Sequence, residues 1–114
     1  MLEVKVMKEV FEISFSYILD KESPPDYEQE FYNFFEKKFG KIEKIELISE
    51  DKNPHETYID YGMGQWALET FWTEAITTKS GRKFLAKHYY THTKERLDDD
   101  FLIKVKYTVE VEEL

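Results

Sequence analysis

From Ile103 to Glu112 the chain alternates without a break. Ile103, Val105, Tyr107, Val109 and Val111 are apolar, Lys104, Lys106, Thr108, Glu110 and Glu112 are polar, and Phe101 extends the apolar row. Period-two patterning puts successive side chains on opposite faces, so this segment is a β-strand with one dry face and one wet face. A dry face has to be buried against a second layer. The chain must therefore supply neighbouring strands and a cover for that face.

The cover is legible upstream. Pro24 and Pro25 interrupt the preceding pattern, Asp26 is a helix-capping residue type, and Gln29 follows three positions on. Tyr27, Phe31, Phe34, Phe35 and Phe39 then recur at helical spacing, and Gly40 is suited to end the helix. This predicts a helix over 27–39 with one aromatic stripe. Phe31, Phe34 and Phe35 are expected to be buried against the sheet, with Ile103, Val105 or Tyr107 among their neighbours. Nine Phe, eight Tyr and two Trp in 114 residues give such a small domain enough large rings to close a core.

The remaining segments read as strands. In residues 2–19 the apolar parity changes between Val10 and Phe11, which predicts one long strand with a bulge there, with two shorter strands as the alternative. Ile42 to Ser49 and Thr57 to Tyr61 are two shorter strands, separated by a turn at DKNPHE and followed by the GMG loop. Residues 66–97 fit either periodicity, and cross-strand pairing favours strands. With a two-residue hairpin turn at Ser80-Gly81, facing residues sum to 161: Glu74 meets Lys87, Ala75 meets Ala86, Trp72 meets Tyr89 and Phe71 meets Tyr90. LDDD, from Leu97, is the last turn.

The prediction is a single α+β domain spanning 1–114, with one N-terminal helix packed on a curved antiparallel sheet of five or six strands. The order strand, helix, then antiparallel strands resembles the cystatin-like arrangement. That resemblance is one of element order alone. The Gln-x-Val-x-Gly loop of protease-inhibiting cystatins is absent, and GMGQW does not replace it, so protease inhibition is not implied. Were residues 66–78 helical, the order would become ferredoxin-like βαββαβ.

Function is less legible. Cysteine is absent, which excludes thiol catalysis, disulfides and thiolate metal sites. Neither an apolar span nor a signal peptide is visible, so an intracellular, membrane-independent protein is expected. Heavy Lys and Glu use resembles proteins from hot environments. No phosphate loop or seryl elbow occurs. His88 and His92 lack the Glu of a zinc helix, and on a strand they stand about 13 Å apart, so no metal or cofactor is expected. Asp60, Glu69, Glu74, His88 and His92 are the side chains that a sheet concavity could gather for acid–base work.

Charge is the strongest remaining signal. The net charge is −8, and residues 79–96 carry +5 between segments of −9 and −4. The basic strip Arg82, Lys83, Lys87 and Tyr89 is a candidate RNA or DNA contact, opposed by the acidic remainder. Glu28, Glu30 and Glu36 on the helix, with Asp98, Asp99 and Asp100 at the last turn, form a candidate surface for a basic protein partner. The expected function is a non-enzymatic acidic interaction module. Its sharpest form is an inhibitor, of the kind viruses encode, that mimics nucleic acid and blocks a nucleic-acid-binding protein. The alternative is a small-molecule-binding or catalytic cone fold. Trp66 and Trp72 are the expected anchors of a homodimer.

Overall fold

The computed structural model describes residues 8–48 and 55–114. The elements are β1 (Lys8–Ile18), α1 (Tyr27–Phe39), β2 (Ile42–Leu47), β3 (His55–Gly62), β4 (Gln65–Thr78), β5 (Lys83–Leu97) and β6 (Asp100–Glu113). This is an α+β fold, one helix on a six-stranded antiparallel sheet. The sheet runs β1-β6-β5-β4-β2, with β3 also on β4. β2 and β3 share one edge of β4: Ile42–Leu47 pair with Thr78–Glu74, and His55–Gly62 pair with Phe71–Gln65. The ferredoxin-like order is thus excluded. Among the described residues no helix is long and apolar enough to cross a membrane.

The helix forms where its cap and stripe predict. Asp26 accepts a hydrogen bond from the Gln29 backbone N–H at 3.0 Å. The reciprocal half of the box is missing, because the Gln29 side chain bonds Asn33 instead. Gly40 ends the helix at φ +111°, donating its N–H to the Glu36 carbonyl. Phe31, Phe35 and Phe39 are buried, packed with Ile76, Phe84, Ala86, Tyr107, Val109 and Val111. Phe34 is only half-buried and packs on Phe11, ring centroids 5.1 Å apart.

Three expectations change. The first is the bulge near Val10. β1 pairs with β6 in constant register from Lys8↔Glu112 to Ile18↔Leu102, so no bulge lies in the described part of the strand. Val10 is simply an exposed apolar residue on the outer face, and residues 2–7 lie outside the described residues. The second is the DKNPHE turn. His55 and Glu56 belong to β3, and residues 51–54 lie outside the described residues.

The third matters most. The β4–β5 hairpin exists, but its loop has three residues, Lys79-Ser80-Gly81. The Thr78 N–H donates to the Arg82 carbonyl and the Gly81 N–H to the Thr78 carbonyl, both at 2.9 Å. Gly81 sits at φ +92°, the positive-φ residue that lets a three-residue hairpin close. The Thr78 hydroxyl also accepts from the Arg82 N–H, which stabilises the longer loop. Facing residues therefore sum to 160: Trp72 meets His88, Glu74 meets Ala86 and Phe71 meets Tyr89. A one-residue slip moves every side chain of β5 to the opposite face relative to β4. His88, Tyr90 and His92 join Trp72 and Glu74 on the concave side.

Candidate functional site: a cleft beyond the helix N-terminus

The helix is too short to cover the sheet. Thirteen helical residues span about 20 Å, whereas the fourteen residues of β4 span roughly 46 Å. Phe39 stacks near the hairpin loop, 4.7 Å from Phe84, and Tyr27 at the other end packs on Tyr90 and Tyr107. Past Tyr27 the concave face opens into a cleft of about 540 Å³. Leu68, Thr70, Trp72 and Glu74 of β4 and Tyr90 of β5 form its floor. Tyr27 and Glu28 wall it on the helix side, and Leu47 of β2 on the other.

A buried polar network lies behind the floor. His88 and Tyr107 are both fully buried. The Tyr107 hydroxyl is 2.6 Å from His88 Nδ1. Burial pushes the Tyr107 hydroxyl far above its usual range, so it keeps its proton. The Nε2 side of His88 faces Glu74, whose Oε1 is 2.5 Å away. This contact lies off the ring N–H direction and is an electrostatic contact, not a linear hydrogen bond. The Tyr32 hydroxyl donates to the same carboxylate, 2.9 Å from Oε1 and 3.1 Å from Oε2. Burial and the charge of Glu74 both push the Tyr32 hydroxyl upward. Trp72 stacks flat on His88, 4.7 Å between centroids and 8° between planes, and Phe31 meets its edge at 5.2 Å. The His ring is clamped, and Glu74 is held in place at the cleft surface.

Glu28 stands across the cleft from this network. Partial desolvation pushes its carboxyl above the usual range, the negative charge of Glu74 and Asp26 adds to the rise, and His88 offsets part of it. Further along β5, His92 Nδ1 is 3.1 Å from the Tyr90 hydroxyl, and burial lowers the His92 pKa. His92 Nε2 has no hydrogen-bond partner among the described residues.

The residues singled out in the sequence are dispersed. Of the acidic set, Glu28 lines the cleft and Glu30 is exposed on the helix. Glu36 accepts the Ile42 N–H at 2.7 Å and ties the helix to β2. Asp98 and Asp99 are exposed at the β5–β6 turn, where Asp98 has φ +51°, and Asp100 pairs with Lys21 at 3.0 Å. Of the basic strip, Arg82 is held by both oxygens of Glu113 and lies over the Phe39 and Phe84 rings. Lys83, Lys87 and Tyr89 are exposed on the outer face. Trp66 and Trp72 are both half-buried on the concave side, Trp66 against Tyr58 and His92.

Of the candidate acid–base residues, Glu74 and His88 meet, and His92 follows on the same face. Glu69 is exposed on the other face, and Asp60 accepts the Gly62 N–H at the β3–β4 turn. The described residues contain no group of three His, Cys, Asp or Glu able to hold a metal ion. Sequence reasoning missed Tyr27, Tyr32, Tyr90 and Tyr107 as site residues. For Tyr90 the signal was the face it takes once the hairpin loop has three residues; Tyr27 and Tyr32 lie on the helix and Tyr107 on the dry face of β6, where they read as core.

No family model matches the chain, and neither does any curated protein. Similar solved structures include the Mll3558 protein from Rhizobium loti, 12% identical, covering 97% of this chain and 83% of that one, TM-score 0.37. Ara h 8.0201 is 15% identical, covering 89% and 78%, TM-score 0.29. A truncated norcoclaurine synthase from Thalictrum flavum is 11% identical, covering 99% and 80%, TM-score 0.26. Likeness at this level carries no functional argument.

Proposed function

We propose that this domain binds a small organic molecule in the cleft beyond Tyr27. The observation that carries the reading is the cleft itself: about 540 Å³ of open volume floored by Leu68, Trp72 and Tyr90. Its size falls in the range of ligand pockets, about 300–1,000 Å³, and so does its make-up of apolar and aromatic walls with a few fixed polar groups. A buried His and a buried Tyr positioned behind one surface carboxylate are more than solubility requires, since burying polar groups costs stability unless they are paired. The acidic-surface reading draws on weaker support, because Glu36 and Asp100 are already engaged within the domain.

The test uses a neutral apolar dye, N-phenyl-1-naphthylamine, followed by its emission. One saturable site is expected, weakened at least about ten-fold, or about 1.4 kcal/mol, when Thr70→Trp fills the cleft in a protein that still folds. No saturable binding, or binding undiminished in Thr70→Trp, would remove the proposal.

A further inference from the structure

We infer that the ligand of this cleft is an organic cation, an ammonium group attached to a flat apolar body. The inference rests on the binding role proposed above and specifies its chemistry. Two carboxylates, Glu28 on the helix side and Glu74 on the floor, border the cleft, and among the described residues no Lys, Arg or His side chain lines it. The His88 ring that touches Glu74 is fully buried behind the floor. Tyr32 and His88 both converge on Glu74 Oε1, and among the described residues Oε2 has one longer contact, from the Tyr32 hydroxyl at 3.1 Å, so a carboxylate oxygen with further acceptor capacity borders the cleft. Such a charge-assisted bond is about twice as strong as a neutral one.

The rings around the carboxylates fit the same ligand. Tyr27 stacks on Tyr90, centroids 5.0 Å apart, and both border the cleft together with Trp72. Ring faces attract a cation through their negative quadrupole, and they also bury the flat body that carries it. A bare metal ion fits less well, since the walls are largely apolar and among the described residues no third metal-binding side chain joins the two carboxylates. An anionic ligand would meet two carboxylates of its own sign.

Three indole probes of nearly one shape separate the possibilities: tryptamine, a cation at neutral pH; tryptophol, neutral; and indole-3-propionate, an anion. Each is titrated calorimetrically into the full chain and into Glu28→Gln. Glu28 is exposed and outside the buried network, so this variant is expected to fold. Tryptamine should bind at least about ten-fold more tightly than either analogue. Glu28→Gln should remove most of that preference. Tryptophol or indole-3-propionate binding as tightly as tryptamine, or a preference untouched by Glu28→Gln, overturns the inference and leaves the binding role standing. If none of the three binds while the neutral dye does, the inference again falls alone. If the dye also fails, the binding role falls with it. Displacement of tryptamine by micromolar CaCl2 would make this a metal site and would also overturn the inference.

Discussion

Tyr107→Phe removes one oxygen from the centre of the molecule and isolates the buried network from every other contribution. The Tyr107 hydroxyl and the His88 ring are both fully buried, so water cannot replace the lost 2.6 Å hydrogen bond. The ring itself remains, and with it the packing against Tyr27, Phe11 and Trp72. No sizeable cavity forms. What changes is that His88 Nδ1 becomes an unpaired buried polar atom, at a cost of about 1–3 kcal/mol. The ring cannot turn away to find another partner, because Trp72 stacks on its face and Phe31 meets its edge. We therefore expect about 2 kcal/mol, from the middle of that range, or a fall in Tm of roughly 8 °C for a domain of this size. Urea denaturation measures it: the midpoint should drop with the slope unchanged. The double variant His88→Phe with Tyr107→Phe should cost less than the sum of the two single changes, with a coupling of about 1 kcal/mol or more. A neutral Tyr107→Phe together with additive costs in the cycle would refute the network.

Other expectations follow from the same packing. Phe31→Ala, at a fully buried position between α1 and the sheet, should cost about 3–5 kcal/mol by urea unfolding; a loss below about 1 kcal/mol would place the helix face wrongly. Gly81→Ala puts a side chain at φ +92° in the hairpin loop and should destabilise by about 1–2 kcal/mol, the strain of left-handed backbone, whereas a two-residue turn would tolerate it differently and a gain in stability would argue against the loop. His92 has a folded pKa held below its usual value by burial. Its contribution is therefore complete above about pH 6.5 and is lost as pH falls through the folded pKa. Unfolding free energies measured from pH 7.5 to 5 should decline more steeply for the native chain than for His92→Phe, and parallel curves would deny His92 that role.

Much of the architecture could be read from periodicity. The alternation from Ile103 to Val111 and the stripe Phe31–Phe35–Phe39 are strong because each pattern is bound to one burial face, and tertiary packing had nothing to override. The cap at Asp26 was legible because a side chain and an N–H three residues apart meet locally. The site was not, because it depends on a register that one loop residue decides. With facing numbers summing to 161, Trp72 sits beside Tyr89, Glu74 beside Lys87, and no polar network forms. With 160, Trp72 stacks on His88 and the even residues of β4, β5 and the odd residues of β6 converge under the helix. The sequence offers Ser80-Gly81 as a turn in either case, and the deciding bonds, from Arg82 and Gly81 to Thr78, are between residues whose types do not announce them. The apparent bulge at Val10 has a similar origin: an apolar residue on a wet face imitates a change of parity. Carboxylates such as Glu36 and Asp100 read alike in a sequence whether they face a partner or hold a neighbouring N–H or Lys21.

The chain has two tryptophans, so a nitrogen–proton correlation spectrum should contain two indole resonances, which Trp66→Phe assigns. Trp72 borders the cleft, whereas Trp66 packs between Tyr58 and His92. Titration with N-phenyl-1-naphthylamine should shift the Trp72 indole signal saturably and displace that of Trp66 much less. Two indole signals that stay fixed while the dye is added, or a shift at Trp66 with none at Trp72, would contradict binding in the cleft beyond the helix.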